Sequence, residues 1–312
     1  MNKYAILDIG TNAIKFFLFA LEDGEVTTII DTNNITRLGE SLQKTGKISA
    51  VAMDRNIKAL GEFLEIAKDN EVEEITAVGT MCLRSASNAN EFIKKTKDEL
   101  ALDIQIISGE EEARLSYLAV AHFTTEMDKN ILVFDTGGGS TEFIFGKGKK
   151  LIKKISLNIG AVQVTEEFLH SDPVTSQEVK NMIDYLKKIL IEHNLNNEVD
   201  YIVGIGGTVT AMGAVMYKMT KYNPNKIQGT KLYLAEIDRQ IELYSSQTIE
   251  ERKKIDGLHP KRADVILAGA GIVKIISEQF KKDFILISDK GLRHGLMFDK
   301  YIKKGRNYAV II

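Results

Sequence analysis

Apolar and polar positions alternate along the chain in a way that predicts two successive series of similar elements. The first series consists of strands over 3–9, 13–20 and 25–33, a helix over 53–69, a strand near 74–79, a helix near 88–99, a strand near 104–107 and a helix over 110–123. Its helices are recognised by the spacing of apolar residues, as in Ile57, Leu60 and Leu64. The predicted order is βββαβαβα.

The same order begins again in the second half of the chain. Here the pattern predicts strands over 131–135, 141–146 and 150–156, helices over 161–169 and 176–193, a strand over 201–205, helices from 208–220 onward and a strand over 284–287. Thr175 and Glu178 have the spacing of a capping box. Polar residues near Glu126 separate the two series. We therefore predict α/β domains over 1–125 and 126–312, the second with extra helices and with its last helix packing back on the first domain.

Length and composition agree with two ordinary globular domains. The chain has 312 residues, of which 44% are hydrophobic and 27% charged, with a formal net charge of −2. This balance argues against a disordered chain and against a nucleic-acid partner. No apolar stretch approaches the roughly 20 residues of a membrane span, and no leader precedes the first strand, so we expect a cytoplasmic protein. The single cysteine, Cys82, excludes an internal disulfide.

Two glycine-rich segments each follow an apolar run that ends in an aspartate. Asp8 precedes Gly10, Thr11 and Asn12, and Asp135 precedes Gly137, Gly138, Gly139 and Ser140. A carboxylate beside unused backbone N–H groups suits a phosphate and its divalent counter-ion. The first segment alone could equally be an ordinary β-turn. The three consecutive glycines of the second segment exceed what a turn needs, and Glu142 on the next strand can point toward the same pocket.

A third loop, Gly206-Gly207-Thr208, ends a strand and opens a helix, where free N–H groups favour an anion. Arg84 and Arg37 are candidate cationic groups for a phosphoryl transfer, although a surface ion pair is the commoner fate of a single arginine. Thus the phosphate-binding candidates are Asp8, Gly10, Thr11, Asn12, Arg37, Gly137, Gly138, Gly139, Ser140, Gly206, Gly207 and Thr208.

The ordered set of these segments resembles the exopolyphosphatase and guanosine pentaphosphate phosphatase family. The resemblance is carried by Asp8-x-Gly-x-Asn, Arg37-Leu38-Gly39, Thr80-x3-Arg84, Ser108-Gly109-x-Glu111-Glu112-Ala113-Arg114, Asp135-x-Gly-Gly-Gly-Ser-x-Glu142, Gly206-Gly207-Thr208, Arg262-Ala263-Asp264 and Gly291-Leu292-Arg293-x-Gly295. It implies two ribonuclease H-like (actin-like ATPase) domains, each with a mixed five-stranded sheet, flanking a cleft. It also implies removal of the terminal phosphate from polyphosphate or guanosine pentaphosphate.

The resemblance selects Glu111 as the catalytic general base that activates water. Composition alone leaves Glu110 and Glu112 as alternatives, since acidic residues in a first helical turn also complement the helix dipole. Arg84 and Glu142 are the further catalytic candidates, and Asp135, Glu142 and Asp8 are the candidate ligands for Mg²⁺ or Mn²⁺. Lys15 stands where the family usually has an arginine, which leaves the role of this position open.

Other features carry weaker indications. The lysines between Lys147 and Lys154 either steer a polyanion or form a solvated hairpin. The five histidines lack metal-ligand spacing and are expected to be structural or exposed. Cys82 has no arginine six positions later, no P-loop motif occurs, and the chain resembles the short form of the family, without its additional carboxyl-terminal domain.

Three functions are compatible with this sequence. We favour hydrolysis of a terminal phosphoanhydride; an ATP-dependent small-molecule kinase of the same superfamily, or a non-catalytic nucleotide-binding protein, would use similar loops. The apolar tail from Tyr308 to Ile312 could support a homodimer.

Overall fold

Two mixed β-sheets organise the chain into two compact units. The structure is a computed structural model that describes residues 1–122, 129–195 and 197–302. Of the described residues, one unit contains Met1–Ala119 and Leu292–Ile302, and the other contains those between Val120 and Gly291. The predicted boundary at Glu126 and the apolar tail from Tyr308 lie outside the described residues. The predicted ranges were 1–125 and 126–312, with the last helix packing back on the first domain; in the structure, Leu292–Ile302 belongs to the first unit.

The first unit follows the predicted βββαβαβα order. Its elements are β1 (Asn2–Ile9), β2 (Ile14–Glu22), β3 (Glu25–Asn34), α1 (Leu42–Thr45), α2 (Ala50–Asp69), β4 (Glu74–Gly79), α3 (Met81–Ser85), α4 (Ala89–Leu100), β5 (Ile104–Ile106) and α5 (Gly109–His122), whose last residues enter the second unit. The sheet order is β3-β2-β1-β4-β5. β1 is antiparallel to β2 and parallel to β4, so the sheet is mixed and five-stranded, as predicted.

The second unit repeats this order with additions. Its elements are β6 (Asn130–Thr136), β7 (Thr141–Lys147), β8 (Lys150–Leu157), α6 (Ala161–Phe168), α7 (Ser176–Glu192), β9 (Tyr201–Ile205), α8 (Gly207–Met216), α9 (Pro224–Ile227), β10 (Lys231–Tyr233), α10 (Leu234–Ser245), α11 (Ile249–Arg252), a 3₁₀ turn (Pro260–Arg262), α12 (Ile266–Gln279) and β11 (Phe284–Ile287). The sheet order is β10-β11-β9-β6-β7-β8.

The second sheet therefore has six strands, and the prediction of five was wrong. The additional strand, β10, pairs antiparallel with β11 at the edge of the sheet. It is three residues long, only Leu232 is buried, and α10 follows it directly. β5 is equally short but was predicted, whereas the apolar residues of β10 continue directly into α10, so no separate run marks β10 as a strand.

Each sheet buries an apolar face under long helices. In the first unit, Phe16 of β2 stacks on Phe63 of α2 with 4.9 Å between ring centroids, and Ser49 caps α2 by accepting a hydrogen bond from Ala52. In the second unit, α12 is buried along most of its length. The capping box predicted for α7 is confirmed: Thr175 accepts a hydrogen bond from the Glu178 amide, and Glu178 accepts one from the Thr175 amide.

The carboxyl-terminal segment completes the first unit. It comprises α13 (Leu292–Met297) and one π-helical turn (Phe298–Ile302). A side chain at position 295 would overlap the carbonyl oxygen of Leu115, so Gly295 allows α13 to lie directly on the backbone of α5. Within the described residues, no helix has both the length and the apolar character that crossing a membrane requires.

A buried ion cluster fastens this segment to β3. Asp31 accepts a hydrogen bond from Arg293 Nε at 2.7 Å and lies 3.1 Å from His294 Nε2, and its side chain is 8% exposed. His294 also packs on the ring of Phe17. Burial alone would raise the pKa of Asp31, but the Arg293 charge and the bonds from both partners lower this pKa well below its usual range. The carboxylate is therefore stabilised in its charged form.

Asp31→Asn is expected to destabilise the first unit by about 3–5 kcal/mol at pH 7, because it removes the negative charge that faces the buried Arg293 guanidinium. Since the folded pKa of Asp31 is depressed, its contribution is present above the unfolded pKa near 4 and is lost as the pH falls further. The gap between wild type and Asp31→Asn in urea unfolding should therefore shrink below about pH 4.

The control is Asp103→Asn, the same change in an exposed pair with Lys97. It should leave the urea midpoint unchanged at every pH. A pH-independent gap for Asp31→Asn would contradict the ion-pair explanation.

Cys82 provides a chemical probe of the first unit. It lies in α3 with none of its surface exposed, and burial raises the pKa of its thiol to about 12. At pH 8 only about one thiol in 10,000 would be ionised, so disulfide reagents should react rapidly only after unfolding. We expect slow labelling of the native protein and stoichiometric labelling in urea, followed by absorbance. Rapid stoichiometric labelling without denaturant would contradict this placement.

Candidate active site

The first aspartate-glycine segment forms the turn between β1 and β2. The Gly10 amide donates to the Ala13 carbonyl at 3.0 Å, which closes the turn. Asp8 lies directly opposite Lys15 in the sheet register, and Lys15 Nζ is 3.0 Å from Asp8 Oδ2. Asp8 is 2% exposed. Lys15 therefore neutralises the aspartate of this turn, which gives position 15 a structural role.

The segment that carries Arg37 is hydrogen-bonded to the backbone of this turn. The amides of Arg37 and Gly39 donate to the carbonyls of Asn12 and Thr11, each at 2.9 Å. Within the described chain, no backbone acceptor is found for the amides of Thr11 and Asn12. Arg37 itself has a left-handed backbone with φ of 49°, which is uncommon for a residue with a side chain. Arg37 is thus brought to the turn of Asp8.

The triple-glycine segment forms the corresponding turn between β6 and β7. The Gly137 amide donates to the Ser140 carbonyl at 2.9 Å, the same closing bond as in the first turn. Asp135 lies directly opposite Glu142. Glu142 Oε1 accepts hydrogen bonds from the hydroxyls of Ser140 at 2.8 Å and Ser156 at 2.9 Å. The structure thus brings Asp135, Glu142 and Ser140 together.

The two turns share a backbone but differ in charge at the position opposite the aspartate. Lys15 occupies this position in the first turn and Glu142 in the second. Residues directly opposite each other in antiparallel strands project from the same face of the sheet. The first turn therefore contains an ion pair, whereas the second presents two carboxylates and favours a cation.

Glycine carbonyls hold the second turn on the start of α6. The Gly137 carbonyl accepts from the Ala161 amide at 2.9 Å, and the Gly138 carbonyl accepts from the Val162 amide at 2.9 Å. A side chain at position 160 would overlap the backbone of Gly138. In the described residues, the amides of Gly138 and Gly139 have no backbone acceptor. This turn is held by α6 and keeps two amides available.

The third loop joins β9 to α8 beside Asp135. Gly206 has φ of 82°, and a side chain there would overlap Asp135 Oδ1. Thr208 donates to the Thr136 carbonyl at 3.2 Å, which ties this loop to the end of β6. A side chain at position 207 would overlap the guanidinium of Arg262. The loop therefore lies against both the acidic turn and a cation.

Arg84 lies next to the start of α5 in the first unit. It occupies α3, which follows Thr80, and its Nη1 donates to the Ile107 carbonyl and to Glu112 Oε2, each at 2.9 Å. Of the three consecutive glutamates, Glu112 is thus the partner of Arg84. Glu110 is exposed.

Glu111 is held by two hydrogen bonds from a single arginine. Arg114 Nε and Nη2 donate to Glu111 Oε2 and Oε1 at 2.8 and 2.7 Å. Arg114 also donates to both oxygens of Asp299, and the bonds with Glu111 and Asp299 raise the pKa of its guanidinium above the ordinary value. The hydroxyl of Ser108 accepts from the Glu111 amide at 3.1 Å. Glu111 is 39% exposed, so solvent can reach its carboxylate.

Sequence reasoning missed Asp299 and gave no role to Arg114 or Arg262. Arg114 and Asp299 are separated by 185 positions, so no local pattern in the sequence connects them. The glycine at position 207 leaves room for a large neighbour, but it does not say which one.

The lysines of 147–154 lie on the hairpin of β7 and β8, where Lys147 is opposite Lys150. Among the described residues, no group of three or more acidic, histidine or cysteine side chains could hold a metal ion.

Similar proteins include phosphatases of different lengths. The bifunctional 3-dehydroquinate synthase/phosphatase of Fusobacterium nucleatum is 36% identical over 91% of this chain and 44% of its own length. Exopolyphosphatase 2 of Mycobacterium tuberculosis is 28% identical over 95% of this chain and 98% of its own length. The guanosine-5'-triphosphate,3'-diphosphate pyrophosphatase of Photobacterium profundum is 31% identical over 96% of this chain and 59% of its own length. The chain thus spans about half the length of two of these relatives.

Solved structures with the same fold extend over nearly the whole chain. The Ppx/GppA family member of Aquifex aeolicus superimposes with a TM-score of 0.83 at 36% identity, covering 98% of this chain and 99% of that one. An exopolyphosphatase from Cytophaga hutchinsonii gives a TM-score of 0.88 at 25% identity, with the same coverage of 98% and 99%. The predicted actin-like fold is confirmed by these structures. Since residues 18–304 also match the Ppx/GppA phosphatase family, the chain belongs to that family.

Proposed function

We propose that this chain hydrolyses terminal phosphoanhydrides, releasing orthophosphate from inorganic polyphosphate, from guanosine pentaphosphate, or from both. The observation that carries the proposal is the carboxylate of Glu111, which Arg114 holds by both oxygens while solvent can still reach it. The names of the exopolyphosphatase and guanosine pyrophosphatase relatives support this class of reaction.

The two glycine turns and the third loop are proposed to bind phosphate oxygens. Four amides, those of Thr11, Asn12, Gly138 and Gly139, have no backbone acceptor in the described chain. Such groups bind anions without reading a base. Arg262 beside Gly207 adds a planar cation at the start of α8. Contacts of this kind recognise repeated phosphates, so we favour polyphosphate over the guanosine nucleotide.

Asp135 and Glu142 are proposed to hold Mg²⁺ or Mn²⁺. Their side chains share one face of the sheet, and the serine hydroxyls on Glu142 Oε1 fix the direction of its carboxylate. Hard divalent cations accept one or two carboxylates and complete their coordination with water and phosphate oxygens, so this pair fits. Asp8 is the weaker candidate because the residue opposite it is Lys15 rather than a second carboxylate. When bound, the ion would offset negative charge on the phosphate oxygens.

Glu111 is proposed to take a proton from the water that attacks the terminal phosphorus. The Glu111 carboxylate is 39% exposed, so water can reach it and donate a proton to it. Arg84, held by Glu112 and the Ile107 carbonyl, is proposed to stabilise charge on the transferred group. Release of orthophosphate without an acceptor would separate this reaction from that of a kinase, and any turnover would separate it from a binding protein.

Glu111→Gln should lower the rate of orthophosphate release from polyphosphate by at least about 100-fold, because the amide cannot accept the proton from water. Substrate binding, measured by calorimetry, should be largely retained. The matched control is Glu110→Gln, which makes the same change at the exposed neighbouring position and should keep full activity. Equal activity in Glu111→Gln and wild type would exclude the assignment. Parallel assays with guanosine pentaphosphate and several polyphosphate lengths would identify the preferred substrate.

Glu142→Gln should raise the Mg²⁺ concentration needed for half-maximal activity by about tenfold or more, because one of two carboxylates loses its charge. The glutamine oxygen can still accept from Ser140 and Ser156, so the turn should keep its shape. Glu25→Gln on the exposed edge strand β3 is the control and should not alter the Mg²⁺ titration. An unchanged titration in Glu142→Gln would place the ion elsewhere.

A further inference from the structure

Arg114 joins two carboxylates that come from distant parts of the chain. Its Nη2 donates to Glu111 and to Asp299, each at 2.7 Å, while Nε donates to Glu111 and Nη1 donates to Asp299. Both edges of the guanidinium are therefore in use. An arginine bound by two edges cannot rotate without breaking bonds on both sides, because its donors lie in a fixed plane.

The bond between Glu111 and Arg114 would be weak without this second partner. The two residues are three positions apart on α5, and their side chains are 39% and 36% exposed. Exposed ion pairs of this spacing contribute little and leave both side chains mobile. Asp299 is 28% exposed and belongs to another element, so it fixes the edge of Arg114 that Glu111 does not contact. The orientation of Glu111 thus depends on the residue that holds the other edge of Arg114.

Asp299 is itself fixed by its neighbours in the carboxyl-terminal segment. Lys300 Nζ donates to Glu74 Oε1 and to Thr76 Oγ1, each at 2.6 Å. The Tyr301 hydroxyl lies 2.7 Å from Thr76 Oγ1, and its ring packs on Tyr4. These contacts with β4 and β1 follow Asp299 directly in sequence. The π-helical turn therefore holds Asp299 next to Arg114, because the two residues that follow Asp299 are bound to the sheet.

We propose that Asp299 is a positioning residue for the reaction, which acts through Arg114 to orient the carboxylate of Glu111. The inference rests on the proposed function, in which Glu111 activates water. A general base must lie within hydrogen-bond reach of the proton that it accepts, and small displacements are costly. Loss of Asp299 should therefore slow the chemical step and leave substrate binding unchanged.

The test uses the whole chain and compares kcat and KM for orthophosphate release from polyphosphate. Asp299→Asn is isosteric and should lower kcat about tenfold while KM stays within about twofold. Arg114→Met should lower kcat by a similar factor. In the Arg114→Met background, Asp299→Asn should have no additional effect, because both changes remove the same link.

Asp103→Asn is the matched control. It makes the same aspartate-to-asparagine change in an exposed ion pair with Lys97, which takes no part in holding Asp299 or Arg114. Its kcat should equal that of wild type. The proposal is overturned if Asp299→Asn keeps full kcat, if its loss equals that of Asp103→Asn, or if the losses from Asp299→Asn and Arg114→Met multiply in the double variant.

These outcomes are distinct from a failure of the proposed function. If Glu111→Gln retains activity, or if wild type releases no phosphate from either substrate, the catalytic role of Glu111 is wrong and the role of Asp299 falls with it. If Glu111→Gln is inactive and Asp299→Asn is unaffected, the proposed function stands and only the positioning role is excluded. Thermal melting by circular dichroism of each variant verifies that the fold is retained.

Discussion

The backbone contact between Gly295 and Leu115 is the constraint on which the first unit depends. Any side chain at position 295 would occupy the place of the Leu115 carbonyl oxygen, so α13 can approach α5 this closely only with glycine. One turn before this contact, α5 carries Glu111, and one turn after it, the chain carries Asp299. The arginine between them can reach both carboxylates because the helices are so close. The absence of a side chain at Gly295 is therefore a condition for the hydrogen bonds that Arg114 makes with both carboxylates.

The regular part of the fold could be predicted from the sequence because it follows simple periodicities. β1 and β6 are continuous apolar runs, and α2 has one apolar face, so all three were predicted. Most of the short elements were not found in this way, although the three-residue β5 was. β10 also has three residues, and α1, α9 and α11 have four each, which is less than the span that a periodic pattern needs. The return of the chain end to the first unit depends on tertiary contacts such as that of Arg293 with Asp31.

The candidate site was predictable where backbone geometry demands a particular residue. Gly206 and Gly207 of the third loop are the clearest cases, because a side chain there would overlap Asp135 or Arg262, and Gly206 also has a positive φ. The partners of charged groups were not visible. Sequence offered three adjacent glutamates without distinguishing them, and only the structure assigns Glu112 to Arg84 and Glu111 to Arg114. Charge partners are chosen by the fold, so spacing along the chain cannot name them.

The paired turns of the two sheets show that one backbone can carry opposite charges at the same position. Both turns close with the same glycine amide bond and place an aspartate at the same position, yet Lys15 in one corresponds to Glu142 in the other. The backbone accepts either charge at that position. After an ancestral duplication, exchange of one side chain would be enough to convert a self-neutralised turn into one with two carboxylates. A symmetric scaffold could in this way acquire unequal halves without any change in its main chain.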